Sequence, residues 1–436
     1  MTTRKTIQEY DAVLSFDWAD EKHDYCLWDA GSNSIEIDTI ANRPEVIHDF
    51  ICQMRFRFQG KAVAVGLEQS KGSLAYQLME YGFFTIYFTH PTTVAKVREA
   101  WTPSGAKDDP DDAELIMGIV RDSNHKLRAW KPDTPETRRL MLLCSHRRKF
   151  VDLRVKLTNM LRSCLKTYYP LACQVAGDKL NEPLALNFLT KWPTFGELKR
   201  ARPSTIEKFY ALGNGRSTKA IQKRLEAIRD ARAATTDPVI IGCHSVQMLA
   251  LVAQIRTLRE SIKQYDKQIA ETYSTHSDVE IIKSFPATGK VFGPRLVAAL
   301  GSDRERFESA HEMECYSGIA PVVDRSGKTA KTYRRYKCST FIRQSFHEWA
   351  NETTKHCLWA RAYYVQCREK GKGHHQAVRS LAYKWIRIIY KCWKEQVPYD
   401  DGHYMSMLKK RGSNLIKLIA EHPDVYRLNG PVKVEF

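Results

Sequence analysis

DAVLSFDWADEKHDYCLWDAGSNSIEIDTI, residues 11–40, reads as three β-strands in succession. β-formers cluster and alternate in DAVLSFDWA and again in HDYCLWD, the turn-forming AGSN follows, and SIEIDTI completes the run. Strands joined this closely pair antiparallel, as a hairpin meander. Beyond it the period changes. RPEVIHDFICQMRFRF sets Val46, Ile47, Phe50, Ile51 and Met54 at helical spacing behind Pro44. KAVAVGLE is a short strand of the buried type, GSLAYQLMEYG a helix with a glycine stop, FFTIYF another strand and TTVAKVREAW another helix. The order is βββαβαβα.

Three antiparallel strands extended by parallel ones through right-handed crossovers make the order of a ribonuclease H fold. The totals suit a folded chain with such a domain and others. At 436 residues the prior is two or three domains. Hydrophobic residues at 43% and charged residues at 27% sit in the soluble globular range. The formal net charge of +18 creates a field that attracts polyanions, and aromatics interleave with the charges in KTYRRYK and RSLAYKWIRIIYKCWK, so nucleic acid is the expected partner. No run of 18 apolar residues offers a membrane span, and charges occupy the start where a signal peptide needs its apolar core, so the expected location is cytoplasmic, with no membrane partner. The eleven cysteines, with no CxxC pair, support neither a disulfide framework nor a zinc module.

Residues 125–240 read as helical and basic. From Met248 onward Leu251, Ile255, Leu258, Ile262, Tyr265 and Ile269 step by three and four, an a/d seam of a coiled coil or long helical-hairpin arm, or of one amphipathic helix packed on its own domain. SFPATGKVFGPRLVAALG is a glycine-punctuated turn leading into an apolar helix whose first amides could meet a phosphate. Near the end Ala377, Val378, Leu381, Ala382, Trp385, Ile388, Ile389 and Cys392 form one helical face, and Arg379, Lys384, Arg387 and Lys391 lie mostly on the other.

Against the basic background AKDDPDDAELI, residues 106–116, places four aspartates in five positions. If a helix begins there with Pro110 in its first turn, Asp109 and Asp112 lie one turn apart on one face and repel unless a cation sits between them. Asp17, in the first strand, and Glu68, at the end of the fourth, come to the same sheet edge in the ribonuclease H topology. Four carboxylates with oxygen-only chemistry suit Mg²⁺ or Mn²⁺. Singly each acid has a plainer reading, as a strand end, an exposed side chain or a helix cap. Asp108 and Asp111 are the neighbours most easily mistaken for ligands.

At this point the chain resembles the DEDD-type insertion-sequence transposases, the one-ten family of bridge-RNA-guided recombinases with a RuvC-like domain. The resemblance rests on SFDWADEKHD, LEQSKG, HPTTVAKVRE, KDDPDDAELI, FPATGKVFGPRLVAALG, YSGIAPVVDRSGK and the tail GHHQAVRSLAYKWIRIIYKCWKEQVPYD, in that order. The family's Asp-x-x-Asp-Ala selects Asp109 and Asp112 before Ala113. Its serine shortly after Gly-x-x-Pro corresponds to Ser326, behind Gly318 and Pro321, which the resemblance makes the nucleophile that forms a phosphoserine link to DNA. The residues alone leave RSGK open, as a catalytic serine or as a turn that contacts phosphate. Around it Arg325, Lys328, Lys331, Arg334, Arg335 and Lys337 are candidate nucleic-acid contacts. Cys338 and Ser339 depart from the family, where glycine and then Asn or Asp are common. Ser317 and Ser339 are rival hydroxyls that do not fit the family position.

The resemblance implies a RuvC-like, ribonuclease H-like domain over residues 1–124, a helical and coiled-coil arm over 125–279, and a mostly helical C-terminal transposase domain over 280–436. It further implies donor and target DNA and a structured bridge RNA as partners, and a homo-oligomer, dimer to tetramer, whose composite site takes acids and serine from different protomers. The setting would be a prokaryotic cytoplasm, at the nucleoid when active. Two other readings are a metal-dependent junction-resolving endonuclease, in which Ser326 only binds phosphate, and a scaffold with a degenerate site.

Overall fold

The computed structural model describes residues 6–68, 73–101, 109–213, 217–327 and 329–421. The chain divides into two compact units, 1–133 and 134–436.

The first unit contains β1 (Ala12–Asp17), β2 (Lys22–Asp29), β3 (Ser34–Ala41), α1 (Pro44–Arg57), β4 (Val63–Leu67), α2 (Leu74–Leu78), β5 (Phe84–Phe88), α3 (Pro91–Trp101) and α4 (Asp109–Ser123). Its five-stranded sheet runs β3-β2-β1-β4-β5. β1, β2 and β3 pair antiparallel, and β1, β4 and β5 pair parallel. Order and senses agree with the sequence reading and are consistent with a ribonuclease H-like domain.

The central strands bury both faces, so β1 reads as a nearly unbroken apolar run. One face carries Leu14, Phe16, Leu27 and Val65 against Ile47, Phe50, Ile51 and Met54 of α1. The opposite face carries Val13, Cys26 and Ala64 against Ala113, Met117 and Val120 of α4. The approach of α4 to β4 is close enough to require a glycine. A Cβ on Gly66 would lie 2.8 Å from Ile116 Cγ2 and 2.9 Å from Val120 Cγ2.

The second unit opens with α5 (Pro135–Tyr168), whose N-cap Thr134 accepts from Thr137 N–H. Short helices α6 (Ala172–Val175), α7 (Pro183–Lys191), α8 (Phe195–Arg200), α9 (Pro203–Leu212) and α10 (Thr218–Asp230) follow, then α11 (Pro238–Ser274). α5 and α11 run antiparallel: Arg147, early in α5, bonds Asp266 late in α11 at 2.5 Å, while Cys164, late in α5, meets His244 early in α11 at 3.4 Å. The expected seam is real, with Leu251, Ile255, Leu258, Ile262 and Ile269 buried and Tyr265 half-buried. α11 is also long and apolar enough, by length and composition, to cross a membrane. Its seam instead packs on α5, with Met248 to Leu258 joining the α6–α10 bundle and Ile269 and Tyr273 joining the C-terminal core.

That core is built by α12 (Val279–Lys283), α13 (Gly289–Leu300), α14 (Ala310–Tyr316), a hairpin of β6 (Val322–Ser326) and β7 (Thr329–Tyr333), α15 (Thr340–Thr353), α16 (Leu358–Glu369), α17 (His374–Glu395), α18 (Asp401–Lys410) and α19 (Asn414–Glu421). Trp349, Trp359, Trp385 and Trp393 are fully buried at its centre. Arm and C-terminal segment thus share one compact unit. The inner face of α17 departs from expectation at three positions: Ile386 and Trp393 are buried with Ala382, Trp385 and Ile389, and Ile388 is only half-buried.

Candidate active site

Two centres hold the predicted residues, one in each unit. In the first, Phe16 of β1 is the parallel register partner of Leu67 in β4. Asp17 and Glu68 are the next residues along these neighbouring strands, so the sheet delivers both to one edge. Both are half-buried. On the other side of β1, Asp17 is in register with Asp24 of β2, itself buried. Beside it His23 is buried, and Ala19 N–H donates to its Nδ1 at 3.4 Å, which fixes the turn after Asp17. Burial lowers the pKa of His23 and favours the neutral ring.

α4 is tied to this edge by a buried bond in which Ser15 Oγ donates to Ala113 C=O at 2.6 Å. That bond places Asp112, the residue before Ala113, near the end of β1. Asp112 is 4% exposed, and its Oδ1 accepts from Arg98 Nε of α3 at 2.9 Å and from Arg98 Nη2 as well. A buried carboxylate needs such a partner. Asp109 begins α4, one turn before Asp112; its side chain, like all of Asp108, lies outside the described residues. Among the described residues no three His, Cys, Asp or Glu side chains form a group that could hold a metal ion. What the strand register sets side by side is Asp17 and Glu68, oxygen donors of the kind hard divalent cations take, while Asp112 is already paired with Arg98.

The second centre is the β6–β7 hairpin. Ser326 closes β6 and pairs with Thr329 across a two-residue loop, where Gly327 has φ +55°. Loops of this length require the left-handed region, which glycine reaches without strain. Every described residue of the hairpin is exposed, Ser326 included, and Ser326 Oγ makes no hydrogen bond among the described residues. Arg325, Lys331, Arg334 and Lys337 are exposed and make no ion pair among the described residues; Lys328 lies outside them. Arg335 differs from these. It is half-buried, donating through Nε to Ala320 C=O at 3.3 Å and through Nη2 to Cys315 Sγ at 3.5 Å. At the foot of the hairpin Gly318 has φ +70°, and a Cβ there would lie 2.2 Å from Cys338 Sγ. The rival Ser317 is fully buried, donating to Glu314 C=O at 3.0 Å, and Ser339 caps α15 by accepting from Ile342 N–H.

The sequence reading missed Arg98 and Asp24. The only signal for Arg98 was the buried face of α4, which implies a cation for any acid placed on it. Asp24 had a clearer one, since pairing the first two strands by their alternation sets it opposite Asp17.

Comparison with known proteins bears on both centres. Residues 14–170 match the DEDD transposase domain of the IS110 group, and residues 279–365 match the Transposase IS116/IS110/IS902 family. A Streptomyces coelicolor protein named for the mini-circle element IS117 is 26% identical over 88% of this chain and 94% of its own length. The IS116 protein of Streptomyces clavuligerus is 29% identical over 70% of this chain and 75% of its own, and the IS900 protein of Mycobacterium paratuberculosis is 27% identical over 67% and 73%. The first match holds Asp17, Glu68, Asp109 and Asp112, the second holds Ser326, and together they span more than half the chain: it belongs to the IS110-family transposases, enzymes of DNA transposition and recombination.

Proposed function

We propose that this transposase cuts and rejoins DNA strands through a covalent link between Ser326 and a backbone phosphate. The observation that supports the reading is the exposed hydroxyl at the tip of a hairpin that carries Arg325 and Lys331, with Arg334 and Lys337 beyond its foot, none of them in an ion pair among the described residues. Ser326 Oγ attacks phosphorus, the P–O bond to one sugar breaks, and that sugar oxygen leaves with a proton. The reverse attack by a sugar hydroxyl rejoins the strand and frees the serine, so the phosphodiester bond energy is conserved and no nucleotide cofactor is consumed. The Arg325 guanidinium and the Lys331 ammonium, the described cations nearest the tip, offset the charge that builds on the phosphoryl oxygens.

Asp17, Glu68, Asp109 and Asp112 would hold Mg²⁺ or Mn²⁺, which supplies Lewis-acid stabilisation at the phosphoryl group when bound. The basic surface binds donor and target DNA by their backbones, and a structured bridge RNA supplies sequence by base pairing. The active species is a homo-oligomer, dimer to tetramer, at the nucleoid of a prokaryotic cell, and the N-terminal unit is a RuvC-like domain.

One observation favours a second reading, junction-resolving hydrolysis: no described side chain is hydrogen-bonded to Ser326 to act as its base. The two are separated by strand exchange between matched donor and target duplexes, with the element's flanking RNA supplied. Asp17→Ala and Ser326→Ala are each expected to abolish exchange while nucleic-acid affinity stays within about twofold. Hydrolytic cutting that survives Ser326→Ala would install the nuclease reading instead.

A further inference from the structure

A cavity of about 350 Å³ opens at the foot of the hairpin. Tyr333, Arg334 and Arg335 line it from the hairpin side, Tyr363 from α16, and Arg379 and Tyr383 from α17. We propose that it receives one unstacked nucleotide of the DNA strand that Ser326 attacks, with the phosphate on the arginines and the base against the tyrosines. This inference rests on the reading of Ser326 given above.

Charge is the first argument. Three guanidinium groups line the cavity and no described carboxylate does. Arg379 makes no hydrogen bond or ion pair among the described residues. Its pKa is lowered by burial and by the neighbouring Arg334 and Arg343. Like charges held this closely are completed by an anion, and guanidinium matches phosphate in a planar, two-point fit.

The second argument is preorganisation. Arg387 lies 4.8 Å over the Tyr383 ring, donates to the Tyr383 hydroxyl at 2.8 Å, and is itself held by the buried Glu314 at 2.7 Å. Lys384 Nζ stands 4.8 Å over the Tyr363 ring. Both rings are fixed before any base arrives, which removes the ordering cost from binding. A volume at the low end of small-ligand sites suits a single nucleotide. Stacking on tyrosine tolerates any base, as an enzyme that takes its sequence from elsewhere requires.

The third argument is position. Tyr333 pairs with Val322 at the foot of the hairpin and Ser326 with Thr329 at its tip. Side chains alternate along strands, so Val322, Asp324 and Ser326 share a face with Thr329, Lys331 and Tyr333. Four residues of strand put the serine roughly 13 Å from the foot. That is about four stacked nucleotides, fewer where the strand is extended. A strand laid along this face reaches both the serine and the cavity, and the occupant is therefore DNA.

The test scans 5-iododeoxyuridine through a single-stranded DNA oligonucleotide that spans the cleavage point, irradiates it with the full-length protein, and locates crosslinks by mass spectrometry. Crosslinks to Tyr333, Tyr363 or Tyr383 are expected from a window of one or two positions, unchanged in Ser326→Ala. Arg379→Ala is expected to weaken binding of that oligonucleotide about tenfold, the effect of one lost charge-assisted contact. Crosslinks scattered over all positions, or absent from these tyrosines, would overturn the proposal, as would preferential crosslinking of an RNA of the same sequence. The wild-type scan needs no variant to fold. A serine adduct without tyrosine crosslinks sinks the cavity alone; tyrosine crosslinks without a serine adduct sink the nucleophile and leave the cavity standing.

Discussion

Asp112 at the carboxylate edge is held in place, because its charge is buried and answered by Arg98. Removing one partner of a buried pair leaves an uncompensated charge, at a cost of roughly 3–5 kcal/mol. Arg98→Ala should therefore lower the melting temperature of the full chain by several degrees. Adding Asp112→Asn, or millimolar Mn²⁺, should recover much of the loss; an unchanged melting curve in Arg98→Ala would show that the pair carries no such energy. Gly66→Ala is the steric counterpart. The new methyl meets Ile116 and Val120 inside 3.0 Å, and overpacking of this kind costs about 1–3 kcal/mol. Chemical denaturation checks it, and Val120→Ala in the same chain should return part of the loss. Asp17 and Glu68 were legible in the sequence because both end strands with clear β patterns, and strand order then brings them together. Arg98 was not, because an ion pair between two helices leaves no period in the chain.

At the scale of elements, the helices and the five-stranded sheet could be read from their periods, but the β6–β7 hairpin could not. Both of its faces are exposed, so VVDRS and TAKTY carry no apolar alternation, and the segment read as a basic stretch with a turn or a catalytic serine at RSGK, without the strands on either side. Gly318 belongs to the same blind spot: it matched a motif, while its physical reason, φ +70° against Cys338, needed the fold. Gly318→Ala should distort the hairpin foot and cut strand exchange at least tenfold. Cys338→Ala added to it should restore only part, because the backbone strain of about 1–2 kcal/mol persists. A pH-dependent element lies nearby. Burial first, then His375, Arg379 and His374, hold His347 down at about 4. Between about pH 4 and the ordinary value near 6.5 the unfolded chain binds the extra proton, so stability is full above 6.5 and falls as pH drops through that window. His347→Gln should lose less melting temperature than wild type between pH 7.5 and 5; equal losses would remove His347 as the cause.

For the whole molecule, the acids and the serine belong to different compact units of one chain. If the composite site draws on more than one protomer, a mixture of Asp17→Ala and Ser326→Ala proteins should recover strand exchange that neither shows alone. The net charge of +18 predicts that both variants still bind DNA and that binding weakens steeply with salt. The most direct test is a denaturing gel of the reaction on matched donor and target duplexes with the flanking RNA, wild type beside Ser326→Ala. The account predicts a protein–DNA adduct that survives denaturation in the wild type and is missing from the variant. Cleavage without an adduct, equal in both proteins, would contradict it.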